Sequence, residues 1–379
     1  MRVSVCLITR DEERFLAGCL ESVRAAADEV VLVDAGSTDA TVDVARGFGC
    51  TVIHRAWDDD FAAARNAGIA AATGDWILCI DADERLIGAE ALRDLVAGAA
   101  PETGAFLVER EDFVRHPDTG RTERYPIGMV RLFRRHPAIR YVGAVHERPN
   151  ETVRAAGFRI ESTARVRFTH LVADRPDDEL RRKQTRYLAL LDRELACAPG
   201  DAWMRYYRAK TRWYLGFHDE ADADLRAVAG DTDAPPEQRA AAHAMRAALA
   251  LHLGRPDEAL AMVDASLDAF PLQSIAHYLR GEARYALGDW AGAADAYARV
   301  RLAQDPAVVT DWVPGDLYLP PATRAWKLGS CALAAGDAAT ALAHFRVGMR
   351  AEPDDAACWF GAAHVALAAG DGALARTLL

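Results

Sequence analysis

The chain has no paired cysteines. Its seven stand singly at 6, 19, 50, 79, 197, 331 and 358. An odd count without a C-x-x-C pair excludes a disulfide framework and a zinc site, and reduced thiols in a cytoplasmic protein are expected. Positive charge is in deficit, with 45 Lys and Arg against 56 Asp and Glu and a net charge of −11. That balance argues against a nucleic-acid or anionic-membrane partner, either of which needs a basic patch. Long apolar runs are missing too, so no integral membrane segment is expected. The run Val3–Ile8 is too short for a secretory signal and meets charged residues at once. Thr9-Arg-Asp-Glu-Glu13 follows that run. A sugar nucleotidyltransferase would carry a glycine-rich phosphate loop there, and a dehydrogenase G-x-G-x-x-G.

What the chain does have is an apolar strand ending in crowded carboxylates: Asp75-Trp-Ile-Leu-Cys-Ile-Asp81-Ala-Asp83-Glu84. On extended backbone Asp81 and Asp83 point to the same face. Two like charges that close repel unless a cation lies between them. A hard divalent ion, Mg²⁺ or Mn²⁺, prefers such oxygen ligands and keeps positions for water and phosphate oxygens. Asp231 and Asp233 have the same spacing but lie in a polar loop pattern, and Asp58–Asp60 reads as a solvated run.

Residues 1–110 alternate strand and helix: strands at 3–8, 30–33, 50–54 and 76–80, helices at 14–27, 40–47 and 61–72. This order predicts an α/β domain with a mostly parallel central sheet covered on both faces, its ligands at the carboxyl ends of the strands. Further strands are expected at 106–110, 130–134, 141–147 and 165–170. From about residue 200 the pattern is helical and repetitive. Gly216, Gly254, Gly288, Gly336 and Gly370 each have alanine five positions later and a small residue seven positions earlier. That is the tetratricopeptide pattern of paired helices with a period near 34 residues. The period is broken once, by an insertion around Val309–Pro321, and the fifth unit stops inside its second helix, which suggests trimming or some other cover for that apolar end. The aromatics Trp203, Tyr206, Tyr207, Trp213, Tyr214 and Tyr285 fall at helical spacing, as core between stacked helices does. The domain reading is therefore 1–173, a helical linker over 174–200, and repeats over 201–379.

Four segments together resemble the family 2 glycosyltransferases: Ser4-Val-Cys-Leu-Ile-Thr-Arg-Asp-Glu-Glu13, Val33-Asp-Ala-Gly-Ser-Thr-Asp39, Trp57-Asp-Asp-Asp-Phe-Ala-Ala-Ala-Arg-Asn66 and Asp75–Glu84. With the repeats, the chain resembles the branch that contains the bacteriocin peptide S-glycosyltransferases (glycocin synthases) and relatives acting on lipopolysaccharide core. The resemblance implies a GT-A fold and an inverting transferase. It assigns Asp81 and Asp83 to the D-x-D motif, with metal on Asp83 and the donor ribose or sugar on Asp81. Asp34 would bond the nucleotide base, commonly uracil, bordered by Thr9 and Glu12 or Glu13. Arg65 would lie near the donor, and Asn66 would orient its loop.

Met129-Val-Arg-Leu-Phe-Arg134 and Val142-Gly-Ala-Val-His146-Glu147 resemble the R-L-F and V-H-E signature of the same branch. An inverting transferase needs a base beside the nucleophile. Glu147 is the candidate and His146 the second; the plain alternative pairs Glu147 with Arg131 or Arg148. His170 corresponds to a late histidine that ligates metal in many GT-A enzymes, although Leu171-Val172 departs from the branch's His-Tyr-Gly. Trp312 and Tyr318, in the repeat insertion, are candidate acceptor contacts, since long insertions in solenoids map to the binding face. The expected reaction moves a hexose from a nucleoside-diphosphate sugar, a UDP-sugar, to a Cys, Ser or Thr side chain of a peptide or protein held by the repeats. The alternatives are a lipid-linked or surface-glycan acceptor and a non-enzymatic scaffold. Oligomeric state stays open, a homodimer included.

Overall fold

The computed structural model describes residues 1–115, 122–171, 177–302, 317 and 319–378, with backbone only at 113–115 and 122–126. Trp312 and Tyr318 lie outside the described residues. The chain divides into two compact units, Met1–Pro199 and Gly200–Leu379.

The first unit runs β1 (Val3–Thr9), α1 (Glu13–Val23), β2 (Glu29–Asp34), α2 (Thr41–Gly47), β3 (Thr51–His54), α3 (Phe61–Ala71), β4 (Trp76–Cys79), β5 (Glu84–Ile87), α4 (Ala89–Ala97), β6 (Thr103–Arg115), β7 (Thr122–Arg134), α5 (Asn150–Ala155), β8 (Arg159–His170) and α6 (Asp177–Cys197). The strands form one sheet in the order β3-β2-β1-β4-β7-β6-β8-β5. The half from β3 to β4 is parallel, as the strand–helix alternation predicts. Beyond β4 the sheet is mixed, because β6 and β7 form a hairpin and β5 runs antiparallel to β8. Strand alternation feeds two cores. Val3, Val5 and Leu7 pack with Leu16 and Leu20 of α1 and Leu92 of α4. Cys6, Ile77 and Cys79 pack on the other face with Ala62, Phe133 and Val153.

Two segments depart from the sequence-based expectation. Residues 141–147 form no strand; only the bridge between Val142 and Arg148 closes a turn. The backbone there passes through left-handed values at Gly143 (φ 99°) and His146 (φ 51°), which a strand cannot contain. The helix within the expected linker groups with the first unit: Leu190, Leu191 and Leu195 are buried and Tyr187 packs against Phe61.

The second unit consists of helix pairs: α7 (Ala202–Leu215) with α8 (His218–Ala229), α9 (Pro236–His252) with α10 (Pro256–Ala269), α11 (Ser274–Ala286) with α12 (Trp290–Ala298), α13 (Pro321–Ala334) with α14 (Ala338–Ala351), and α15 (Ala356–Ala368) with α16 (Gly372–Leu378). Each pair turns on one of the five repeat glycines, all at positive φ. The alanines five positions later (221, 259, 293, 341 and 375) are fully buried. Trp203 and Tyr206 are core, whereas Tyr214 and Tyr285 are exposed.

The small residue seven positions before each turn exists for close approach. A Cβ on Gly329 would sit 2.5 Å from the ring of Phe345, which is itself fully buried. Gly→Ala inside a helix ordinarily stabilises by about 0.5–1 kcal/mol. Here the overlap reverses the sign: Gly329→Ala is expected to lower the melting temperature, at a cost of about 1–3 kcal/mol. An unchanged or raised melt would show that the helices do not meet this closely.

Candidate active site

The parallel pairing of β1 with β2 and β4 brings the carboxyl ends of these strands to one edge of the sheet. Thr9 ends β1 and Asp34 ends β2, side by side in register. Asp34 is buried, accepts a hydrogen bond from the Ser37 N–H at 3.1 Å, and meets His54 Nδ1 at 3.1 Å. Burial alone would raise its carboxyl, but the bonds from Ser37 and His54 outweigh that and hold it below the usual range. Thr9 Oγ1 is buried and makes no hydrogen bond among the described residues. Glu12 contributes backbone: its carbonyl caps α1 and its N–H donates to Thr41 Oγ1 at 2.7 Å.

Past β4 the chain builds a row of alternating charges. Asp81 accepts from Arg65 Nη2 through Oδ1 and from Arg131 Nη2 through Oδ2, each at 2.8 Å. Arg65 Nε donates in turn to Glu147 Oε1 at 2.6 Å. The Asp81 N–H donates to Glu84 Oε2 at 2.9 Å, and Glu84 is fully buried. Burial would raise the Asp81 carboxyl; the flanking guanidinium groups of Arg131 and Arg65 carry it well below the usual range. Glu84, with weaker partners, is raised by its burial. Asn66 fixes the neighbouring turn, its amide bonding both the N–H and the carbonyl of Tyr141, at 2.9 and 3.0 Å.

Asp83 takes a different partner. Register across β5 and β8 sets Glu84 opposite His170, and the Leu171 N–H donates to the Asp83 carbonyl at 2.9 Å. This brings His170 Nε2 within 3.5 Å of Asp83 Oδ2, while Nδ1 bonds Asp112 Oδ1 at 2.8 Å. Arg110 braces Asp112 at 2.8 Å. Burial would raise the Asp83 carboxyl, yet the bond and charge of His170 hold it well below the usual range. Burial likewise would depress His170, but its bonds to Asp112 and Asp83 push it up to about 9.

Asp83 and His170 could hold a divalent cation only once the imidazole has given up the proton that pairs it with Asp83. A carboxylate on the far ring nitrogen fixes the imidazole so that Nε2 faces the ligand position. Asp81, expected to share the ion, has both oxygens on arginines instead and is a structural anchor here. No group of three His, Cys, Asp or Glu converges on one point among the described residues, so an ion here would complete its shell with water or phosphate oxygens.

The raised His170 has a consequence for stability in chelator-treated protein. A group raised from about 6.5 on folding contributes stability that is complete below that value and is lost as pH rises through 9. The melting temperature should therefore fall between pH 6.5 and 9 by more in the wild type than in His170→Gln. Parallel curves would remove the ion-pair assignment.

Sequence reasoning brought Asp34, Arg65, Asp81, Asp83, Glu147 and His170 to this edge. It assigned nothing to Arg110 and Asp112, which lie on β6 with no motif to mark them, or to Tyr187 of α6, whose ring packs edge-on against His146 at 5.7 Å.

Fold and site together define an α/β sheet domain with an acidic, arginine-buttressed edge, followed by helical repeats. Residues 4–161 match the model of Glycosyl transferase family 2, and residues 199–305 that of the Bacterial transcriptional activator domain. The first unit is thus an α/β domain similar to the glycosyl transferase family 2 model over residues 4–161, and the second is a domain of paired helices. A TPR repeat-containing protein of Synechococcus elongatus is 43% identical over 156 residues, covering 41% of this chain and 37% of that one. An uncharacterized glycosyltransferase of Rickettsia typhi is 38% identical over 85 residues, 22% of this chain and 29% of that one. A PGL/p-HBAD biosynthesis glycosyltransferase of Mycobacterium bovis is 37% identical over 120 residues, 30% of this chain and 47% of that one. The chain spans less than half the length of each of these relatives. Among solved structures, the pilus biogenesis factor PilW is similar at 20% identity and a TM-score of 0.41, over 53% of this chain and 87% of that one. Among the described residues no helix is long and apolar enough to cross a membrane.

Proposed function

We propose that the protein transfers a hexose, with inversion, from a UDP-sugar to a Cys, Ser or Thr side chain of a peptide or protein. The observation that carries this reading is the pairing of Asp83 with His170 at the carboxyl edge of the sheet that also presents Asp34. A nucleoside diphosphate needs a partner for its base and a positive site for its phosphates; Asp34 would serve the first, and a cation held by Asp83 and His170 the second. Asp34, with Thr9 beside it, would bond the base. Asp83 and His170 would hold Mg²⁺ or Mn²⁺, which supplies Lewis-acid neutralisation of the leaving diphosphate when bound.

The remaining roles belong to side chains of this unit. Arg65 and Arg131 fix Asp81 beside the donor. Arg65 also orients Glu147 through its Oε1, and Glu147 would accept the nucleophile's proton. His146, in a left-handed conformation with its ring against Tyr187, holds the turn that carries Glu147. A thiol acceptor, with a pKa near 8.5, would need less help than a hydroxyl. The repeats suit an extended polypeptide partner, as stacked helix pairs present a long surface.

The test incubates the full chain with pooled nucleotide sugars, Mn²⁺ and Cys- or Ser-containing peptides, and reads the mass of the products. A gain of one hexose on peptide is the expected result. Gain only on an extracted lipid-linked or surface glycan would move the acceptor to that class. No consumption of any donor would leave a scaffold.

A further inference from the structure

Three neighbouring strands end together at the carboxyl edge of the sheet. Thr9 of β1 is in register with Asp34 of β2, and Asp34 with His54 of β3. Register partners on parallel strands point to the same face, so the three side chains stand in a row. Thr9 and Asp34 are buried, whereas His54 is exposed on the outermost strand of the sheet. No motif marks His54, and it has no part in the transfer steps proposed for this edge.

Its one structural act is to grip Asp34. His54 Nδ1 lies 3.1 Å from Asp34 Oδ2, while the Ser37 N–H donates to Oδ1 at 3.1 Å. Held at opposite oxygens, the carboxylate has its plane fixed. Burial would raise Asp34, but its bonds to Ser37 and His54 hold it below the usual range. An ionised carboxylate only accepts, so Nδ1 is the ring nitrogen that carries the proton. The Ser37 side is braced in turn: Ser37 Oγ accepts from the Asp11 N–H at 3.0 Å, and Asp11 Oδ1 from the Thr38 N–H at 2.7 Å. His54 supplies the grip from the strand side.

The gripped carboxylate still has accepting capacity, because each oxygen carries two lone pairs. Beside it, Thr9 Oγ1 is buried and makes no hydrogen bond among the described residues. A buried hydroxyl without a partner is costly, and a ligand's polar group would remove that cost. A fixed acceptor next to an unused hydroxyl suits a flat ring that carries an N–H beside a carbonyl, as uracil does.

We infer that His54 is a positioning residue for the nucleobase: through Nδ1 it orients Asp34 to accept the ring N–H of uracil, while the Thr9 hydroxyl donates to the adjoining carbonyl. This rests on the UDP-sugar reading above. His54 acts on the base through Asp34. Without the imidazole the carboxylate can turn about its Cβ–Cγ bond, and recognition of the N–H weakens while contacts to the phosphates persist.

The test uses the full chain with Mn²⁺ and titrates UDP, its N3-methyl analogue and inorganic pyrophosphate calorimetrically. The wild type should prefer UDP to the methyl analogue by about 10-fold or more, since methylation removes the N–H. His54→Ala should bind UDP about 10-fold more weakly and the other two ligands unchanged, so that the preference collapses. His54→Asn, whose amide nitrogen can stand where Nδ1 does, should restore most of it. Matched thermal melts confine the effect to the site. A preference in His54→Ala equal to that of the wild type overturns the role of His54 and leaves the transferase reading standing. So does an equal weakening of all three ligands, which a general loosening of the fold would give. A wild type that binds no UDP overturns both.

Discussion

If the proposed transfer reaction is right, Asp83→Asn is expected to abolish it, with a fall in kcat/KM of about a thousand-fold or more. A metal at a leaving diphosphate supplies several kcal/mol, and about 1.4 kcal/mol is a factor of ten in rate. The fold should survive the change. His170 keeps its 2.8 Å bond to Asp112, and the Leu171 N–H still reaches the backbone carbonyl of residue 83. Steady-state transfer measured beside a thermal melt separates the two effects. Retained turnover in a well-folded Asp83→Asn protein would place the cation elsewhere.

The second large effect is on stability. Arg65 is buried and joins Asp81 to Glu147 through bonds of 2.8 and 2.6 Å. Arg65→Met fills similar volume but takes the guanidinium from Glu147 and leaves Asp81 with Arg131 alone. Removing one partner of a buried ion pair costs about 3–5 kcal/mol, which for a unit of this size lowers the melting temperature by about ten degrees. With Glu147 as the proposed base, transfer is expected to fall as well, because Glu147 loses its bond to Arg65. Adding Asp81→Asn to Arg65→Met should recover part of the melt, since it removes one stranded charge. A melt indistinguishable from wild type in the single variant would mean that these carboxylates are solvated.

Much of this was legible in the residues. The alternation over 1–80 gave the parallel half of the sheet, because strands buried on both faces read as unbroken apolar runs. The repeat glycines announced their helix pairs through a fixed period, and the buried alanines at a constant offset follow from it. Harder to see was the meeting of Asp83 with His170. It depends on β5, four residues at the sheet edge that carry no long pattern, pairing with a strand more than eighty positions later. The turn carrying Glu147 misread as a strand because Tyr141, Val142 and Val145 are strand formers, while the left-handed backbone at His146 leaves no mark in composition. Helix α6 misread as a connector because its polar majority hides three buried leucines.

The Asn66 amide closes a ring of two hydrogen bonds with Tyr141, so the turn carrying Glu147 is tethered at its root to α3, five residues past that helix's first residue. Variation that broadens the choice of acceptor would then fall at Val142, whose side chain is exposed, rather than at Ala144 and Val145, which are buried. Changes at position 66 would blur the placement of the proton acceptor for every acceptor alike.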